Sequence, residues 1–207
     1  MAATQALYTD GGVIQVNPSP FGGTWAWTVV EHGQRIRQDS GVLLPTADYP
    51  AITNNVTELY ALVAGIESLP VDWVGIVFSD SWVSLQRLFL GAKLKNVPEW
   101  LVERLQVIRQ SGRLSQMAYV LLDGHPTQAQ LLAGKGKRGG PVSEHNVFCD
   151  EECGRVGRAA GLGVRRATAQ LLARLTIPRR DGLIQQFADL AIERSNIFCS
   201  EQLNRRV

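Results

Sequence analysis

Leu7-Tyr8-Thr9-Asp10-Gly11-Gly12 opens as a short apolar strand and stops on a carboxylate followed by two glycines. Alone, Asp-Gly-Gly is most often a turn. Three more acidic residues stand in segments of similar kind, at a strand end or a helix start. They are Glu58 in Thr53-Asn54-Asn55-Val56-Thr57-Glu58-Leu59, Asp80 in Val77-Phe78-Ser79-Asp80-Ser81, and Asp150 in His145-Asn146-Val147-Phe148-Cys149-Asp150. Taken singly, each reads equally well as a surface residue or a cap. Gathered at one point, carboxylates repel and lose hydration, which is tolerable only if divalent cations neutralise them. Hard cations take oxygen ligands, so the pattern points to metal-dependent phosphodiester chemistry.

Around these residues the periodicity alternates between two and 3.6. Thr4–Thr9, the aromatic and β-branched run Gly23–Val30, and Arg35–Leu44 read as an antiparallel meander with a hairpin at Glu31-His32-Gly33-Gln34. Leu59, Leu62, Val63, Ile66 and Leu69 fall at helical spacing before Pro70, with Thr53 or Asn54 able to cap the start. Trp73–Phe78 reads as a strand, Trp82–Leu90 and Pro98–Gln110 as helices, Gln116–Leu122 as a fifth strand, and Val147–Ala160 as a helix. A long glycine-rich basic loop containing Gly134–Gly140 precedes that helix. Gly161-Leu162-Gly163 reads as a break, followed by helices near 164–175 and 181–195. The expected architecture is α/β, a five-stranded mixed sheet (three antiparallel strands, then two parallel) flanked by helices, with a C-terminal helical extension. In such sheets, sites form beyond strand ends where the topology switches. The domain reading is a catalytic unit over 1–160 and an extension over 161–207. The extension's apolar residues, among them Leu171, Leu175, Leu183 and Phe187, suit packing on the core, dimerisation or an unknown protein partner equally.

Bulk properties agree with a globular domain: 207 residues, 45% hydrophobic and 19% charged. No run is apolar enough to cross a bilayer and the N-terminus lacks a secretory pattern, so a cytoplasmic location and no membrane partner are expected. Cys149, Cys153 and Cys199 do not form a disulfide pattern; His145, Cys149 and Cys153 share a helix face that would suit zinc, but a fourth ligand is not evident. The net charge of +2 is unevenly spread, acidic up to residue 90 and basic beyond it, a distribution that supplies counter-charge for a polyanion.

Residues 7–12, 53–62, 77–81, 124–125 and 146–153 resemble the successive motifs of the type 1 ribonuclease H family, in that family's order. The resemblance covers about residues 5–160. It implies Mg²⁺-dependent hydrolysis of the RNA strand of RNA–DNA hybrids with two metal ions, Mn²⁺ being able to substitute, and a 5′-phosphate product. By resemblance, Asp10 is the carboxylate shared by two metals. Glu58 and Asp150 are metal ligands. Asp80 is a ligand that also helps orient the attacking water. His125, after Gly124, matches the loop histidine that moves protons, a task suited to a group titrating near neutrality. His145 is its rival, because an insertion over roughly Ala129–Ser143 separates His125 from Asp150. Asn54 and Asn55 match paired amides that reach the minor groove, where 2′-hydroxyls mark RNA. Gly11, Thr53 and Asn146 are the remaining candidate substrate contacts. The chain departs from the pattern at Gly12, where many members have Ser. It departs again at Leu90–Trp100, where only Lys93, Lys95 and Trp100 remain of a basic, Trp-rich protrusion. Lys135–Arg138 could compensate electrostatically or be a flexible solvated connection. The alternatives are a nuclease of this fold acting on DNA, junctions or duplex RNA, and a non-catalytic nucleic-acid binding module.

Overall fold

The computed structural model describes residues 5–175, with side chains through residue 161. Contacts divide the chain into two compact units, Met1–Gly161 and Leu162–Val207, and the architecture below is that of the first. Its strands are β1 (Gln5–Val13), β2 (Gly23–Glu31), β3 (Gln34–Leu43), β4 (Gly75–Ser79) and β5 (Met117–Leu121). They lie side by side in the order β3-β2-β1-β4-β5. β2 pairs antiparallel with both β1 and β3, whereas β4 pairs parallel with β1 and β5. The expected mixed sheet is therefore present, and β1 is the strand at which the two pairing modes meet.

The β2–β3 hairpin turns on His32 and Gly33, at φ of 52° and 76°. Two left-handed residues match the right-handed twist of the flanking strands. The helices are α1 (Asn54–Ser68), α2 (Trp82–Phe89), α3 (Glu99–Gln110), α4 (Gln128–Ala133) and α5 (Glu144–Leu175). Side chains alternate across β1, so Leu7 and Tyr8 serve opposite faces. Leu7 joins a core with Leu59, Leu62 and Ile66 of α1, Leu85 and Leu88 of α2, and Leu101 and Leu105 of α3. Tyr8 joins Ala26, Val30 and Leu122 against Cys149 and Cys153 of α5. The sheet is thus covered on both faces.

Three expectations change. α1 begins without a side-chain cap from Thr53 or Asn54. Instead Asn17 Oδ1, from the β1–β2 loop, accepts the Asn54 N–H at 3.2 Å. The basic loop contains α4, closed by a capping box in which Thr127 and Gln130 each accept the other's backbone N–H. Its sequence signal, Thr127-x-x-Gln130, is visible in the sequence, but the neighbouring glycines obscure it. Finally, α5 starts at Glu144 and its backbone continues helical through 161–163 to Leu175. Glycine lowers helix propensity by about 1 kcal/mol without forbidding helix, and here it does not break it. The expected helix at 181–195 and the packing proposed for its side chains and those near 171–175 fall outside the described residues.

Candidate active site

Two glycines make the site. Gly11, in β1, sits under the first turns of α1. A Cβ there would overlap the Thr57–Glu58 peptide and come within 2.8 Å of the Glu58 Cα. Only glycine lets α1 lie this close, and that closeness sets Glu58 beside Asp10. Gly124, after β5, has the same role for Asp80, whose carboxylate a Cβ at 124 would strike. Asp10 lies within β1, Asp80 directly follows β4, and Asp150 lies on α5 one residue past the buried Cys149. The carboxylates therefore come from β1, α1, the end of β4 and α5, at the C-terminal ends of the two parallel central strands.

Their electrostatics show that they share one region. Asp10 is only 7% exposed. Burial first, then the charges of Asp80, Asp150 and Glu58, push its carboxyl well above the usual range, against the Gly11 N–H that donates to Asp10 Oδ1 at 2.7 Å. Burial raises Glu58 to about 7, opposed by a hydrogen bond from Ser81 and by Arg87, and reinforced by Asp80. Asp80 is raised by burial and by Asp150, and held down by a backbone N–H, His125 and Arg138. In Asp10, Glu58 and Asp80, burial and mutual repulsion outweigh the nearby cations, so all three resist ionisation.

The fit to divalent cations rests on the donors. All four are carboxylates, the ligand type hard cations prefer. Asp80 Oδ1 is buried and has no hydrogen-bond partner. A buried, unpartnered anionic oxygen is costly unless something else takes it up. Among the described residues, no three His, Cys, Asp or Glu side chains are arranged so that they could hold a metal ion as they stand. Glu58 is also engaged at both oxygens, accepting from Asn54 Nδ2 at 2.6 Å and from the Ser81 hydroxyl.

The two histidines separate. His125 is 77% exposed, and its Nδ1 lies 3.4 Å from Asp150 Oδ2. His145 is buried against the Tyr8 ring, at 5.1 Å between centroids, and burial lowers its pKa. The histidine that the fold brings to the carboxylates is His125. The face carrying His145, Cys149 and Cys153 is core rather than a zinc site. The two thiols donate to the carbonyls of Tyr8 and Asp10, and burial drives both pKa values up.

Among the other candidates, Asn55 is exposed at the start of α1, Asn54 is tied to Glu58, and Thr53 is half-buried with its carbonyl accepting from Val56 and Thr57. Asn146 is buried, and its Oδ1 finds no partner. At Gly12 a Cβ would lie 3.0 Å from Thr24 Oγ1, so a serine would be crowded there. Lys93 and Lys95 are exposed, and Trp100 packs inward on Tyr60, 5.8 Å away.

Three residues of the site region escape a reading of the sequence. Ser81, which caps α2 by accepting from Ser84 N–H, also donates to Glu58; a serine opening a helix after Asp80 is the available signal. Arg87 is buried beside Glu58, and Asp123 is buried under the basic loop. No sequence period marks either of them.

A mixed sheet of this order, with carboxylates at the ends of its central strands and a helix carrying the last one, defines the ribonuclease H fold. No protein-family model and no curated protein sequence matches this chain. Solved structures do. LC11-RNase H1, isolated from compost by a metagenomic approach, is 21% identical, with a TM-score of 0.53 over 76% of this chain and 97% of its own. The structure of LC11-RNase H1 in complex with an RNA/DNA hybrid is 20% identical, with a TM-score of 0.53 over 76% of this chain and 99% of that one. RNase H1 from the halophilic archaeon Halobacterium salinarum NRC-1 is 15% identical, with a TM-score of 0.50 over 74% of this chain and 96% of its own. The chain has the ribonuclease H fold.

Proposed function

We propose that this protein is a metal-dependent endoribonuclease that hydrolyses the RNA strand of RNA–DNA hybrids, leaving a 5′-phosphate and a 3′-hydroxyl. The observation that carries this reading is the acidic cluster around buried Asp10, whose carboxyl feels the charges of Asp80, Asp150 and Glu58. A polyanion cannot approach such a cluster unless its charge is offset. Asp10, Glu58, Asp80 and Asp150 would hold Mg²⁺, or Mn²⁺ in its place. Bound there, the cations would supply Lewis-acid activation of water and neutralise charge that develops on the phosphate.

The chain's own residues do the rest. Ser81 and Asn54 keep the Glu58 carboxylate aimed at the cluster. His125, exposed and next to Asp150, would pass a proton to the departing 3′ oxygen. Asn55, exposed at the start of α1, would read the minor groove and its 2′-hydroxyls. The LC11-RNase H1 complex with an RNA/DNA hybrid supports the same substrate class for this fold.

The test is cleavage of an end-labelled hybrid with Mg²⁺ and with EDTA, beside duplex DNA, duplex RNA and a junction. Cleavage confined to the RNA strand of the hybrid and dependent on Mg²⁺ is expected, with loss of turnover in Asp10→Asn. Binding without cleavage, preference for another substrate, or an active Asp10→Asn variant would each reject the proposal.

A further inference from the structure

Asp123 follows β5 and is not one of the clustered carboxylates. It is nonetheless 7% exposed and fully occupied. Its Oδ2 accepts the backbone N–H of Arg138 at 2.8 Å and of Gly140 at 3.2 Å, and its Oδ1 accepts Arg138 Nε at 2.8 Å. Although burial disfavours its charge, these donors outweigh the penalty and hold its pKa below the usual carboxylate value. The Asp123 N–H donates to the Pro141 carbonyl and the Gly136 N–H to the Gly140 carbonyl, both at 2.9 Å, and Lys135 bridges Pro141. A Cβ at Gly136 would overlap the Asp123 side chain, and one at Gly140 would lie 3.2 Å from its Oδ1. Residues 135–141 are thus a hairpin folded around a single carboxylate, not a loose connection.

That hairpin presents Lys135, Lys137 and Arg138 outward, and Arg138 is 69% exposed even while bonded. Three cations against one carboxylate leave it clearly positive. Arg138 stands near enough to the catalytic cluster for its charge to act on Asp80. The segment before α3 carries two further exposed cations, Lys93 and Lys95. The Lys95 and Asn96 carbonyls there accept from Arg87 and from the Tyr49 hydroxyl, which hold this stretch against the core.

We propose that the 135–141 hairpin is a preformed phosphate clamp, in which Lys135, Lys137 and Arg138 hold the sugar–phosphate backbone of the hybrid beside the carboxylates and Asp123 is the positioning residue that folds it. The proposal rests on the hybrid-nuclease reading above. Pre-ordering the cations removes part of the entropy cost of gripping a backbone. Each phosphate contact should appear as salt dependence, because bound counterions are released.

The experiment uses the full-length chain with Mg²⁺. Wild-type cleavage of a labelled hybrid is measured first. Binding is then measured by fluorescence anisotropy across a KCl series, in an Asp10→Asn background. The surface variant Lys135→Gln/Lys137→Gln/Arg138→Gln is expected to bind about tenfold more weakly at ~0.15 M salt, with a log–log salt slope shallower by roughly 2–3. With Asp10 intact, its KM should rise in step, while kcat at saturating hybrid stays within about twofold. Asp123→Ala gives a sign test. Removing a negative charge should tighten binding if charge alone matters, whereas loss of the folded hairpin should weaken it. Should Asp123→Ala fail to fold, the triple variant decides. A triple variant that binds like its parent, with unchanged slope, overturns the clamp but leaves a cleaving wild type as a hybrid nuclease. A wild type that neither binds nor cleaves hybrid overturns both.

Discussion

Gly11 and Glu58 are packed backbone to backbone: a Cβ on Gly11 would come within 2.8 Å of the Glu58 Cα. The first carboxylate's strand and the second carboxylate's helix are locked together by the absence of one side chain. Gly11→Ala must push α1 off β1, at a cost of about 1–3 kcal/mol, the range for overpacking a tight contact. Because Glu58 moves with α1, hybrid cleavage should fall more steeply than stability does. Gly161→Ala is the control: a Cβ there meets nothing within 4 Å, and α5 should gain up to about 1 kcal/mol. Thermal melts and turnover of the two variants check the contrast.

Asp10→Asn should trade activity for stability. Wild-type Glu58 in the metal-free protein has its pKa raised from its ordinary 4.5 to about 7. The folded chain therefore holds a proton that the unfolded chain has already released between those values. By linkage, stability contributed by this group is present below pH 4.5 and is lost as pH rises through about 7. Asp10, also raised, acts in the same direction. Removing the Asp10 charge should raise Tm in EDTA at neutral pH by roughly 2–4 °C, the shift that about 1 kcal/mol gives a domain of this size. It should also flatten the fall in Tm from pH 5 to 8, recorded by calorimetry in EDTA. A Tm unchanged or lowered at neutral pH would contradict the strained acidic cluster.

Ser81→Ala probes the hydroxyl that favours ionised Glu58. Without it, Glu58 should hold its proton to higher pH, and the acidic limb of the pH–rate profile should move upward. Turnover should drop by about tenfold near pH 6.5 and approach wild type above pH 8. The variant also loses the α2 cap, worth about 0.5–2 kcal/mol in a thermal melt. A uniform loss across pH would show only the cap.

His125→Ala and His145→Ala should differ in kind. His125 is exposed beside Asp150, so its loss should lower turnover on the order of 10²-fold and leave Tm within about 1 °C. His145 lies in the core against Tyr8, so its loss should open a cavity and cost about 2–4 kcal/mol. Addition of imidazole should restore part of the activity only in His125→Ala.

The strands of the meander, the helix from Asn54 and the ends of β4 and β5 are legible in the sequence because local patterning agrees with the final fold at each of them. Leu59, Leu62 and Ile66 face one core, and their helical spacing is plain from the order of residues alone. The acidic motifs are legible for a different reason: carboxylates at strand ends and helix starts are unusual enough in combination to point at metal chemistry. Less is visible in residues 124–143. Glycine and lysine content suggests a solvated loop, and the pattern gives no sign that Asp123 turns inward and orders it. The continuous α5 is obscured in the same way, by glycines whose propensity is only a weak bias.

The chain's own chemistry thus determined which residues are acidic, which segments are strands and helices, and where turns had to fall, since those depend on neighbours a few positions apart. Tertiary structure alone decided which histidine meets Asp150, which hydroxyl serves Glu58, and that the basic segment is built around Asp123. These are contacts between residues distant in sequence. Their energies depend on burial and on the nearest charge, and neither quantity exists until the sheet and its helices have closed together.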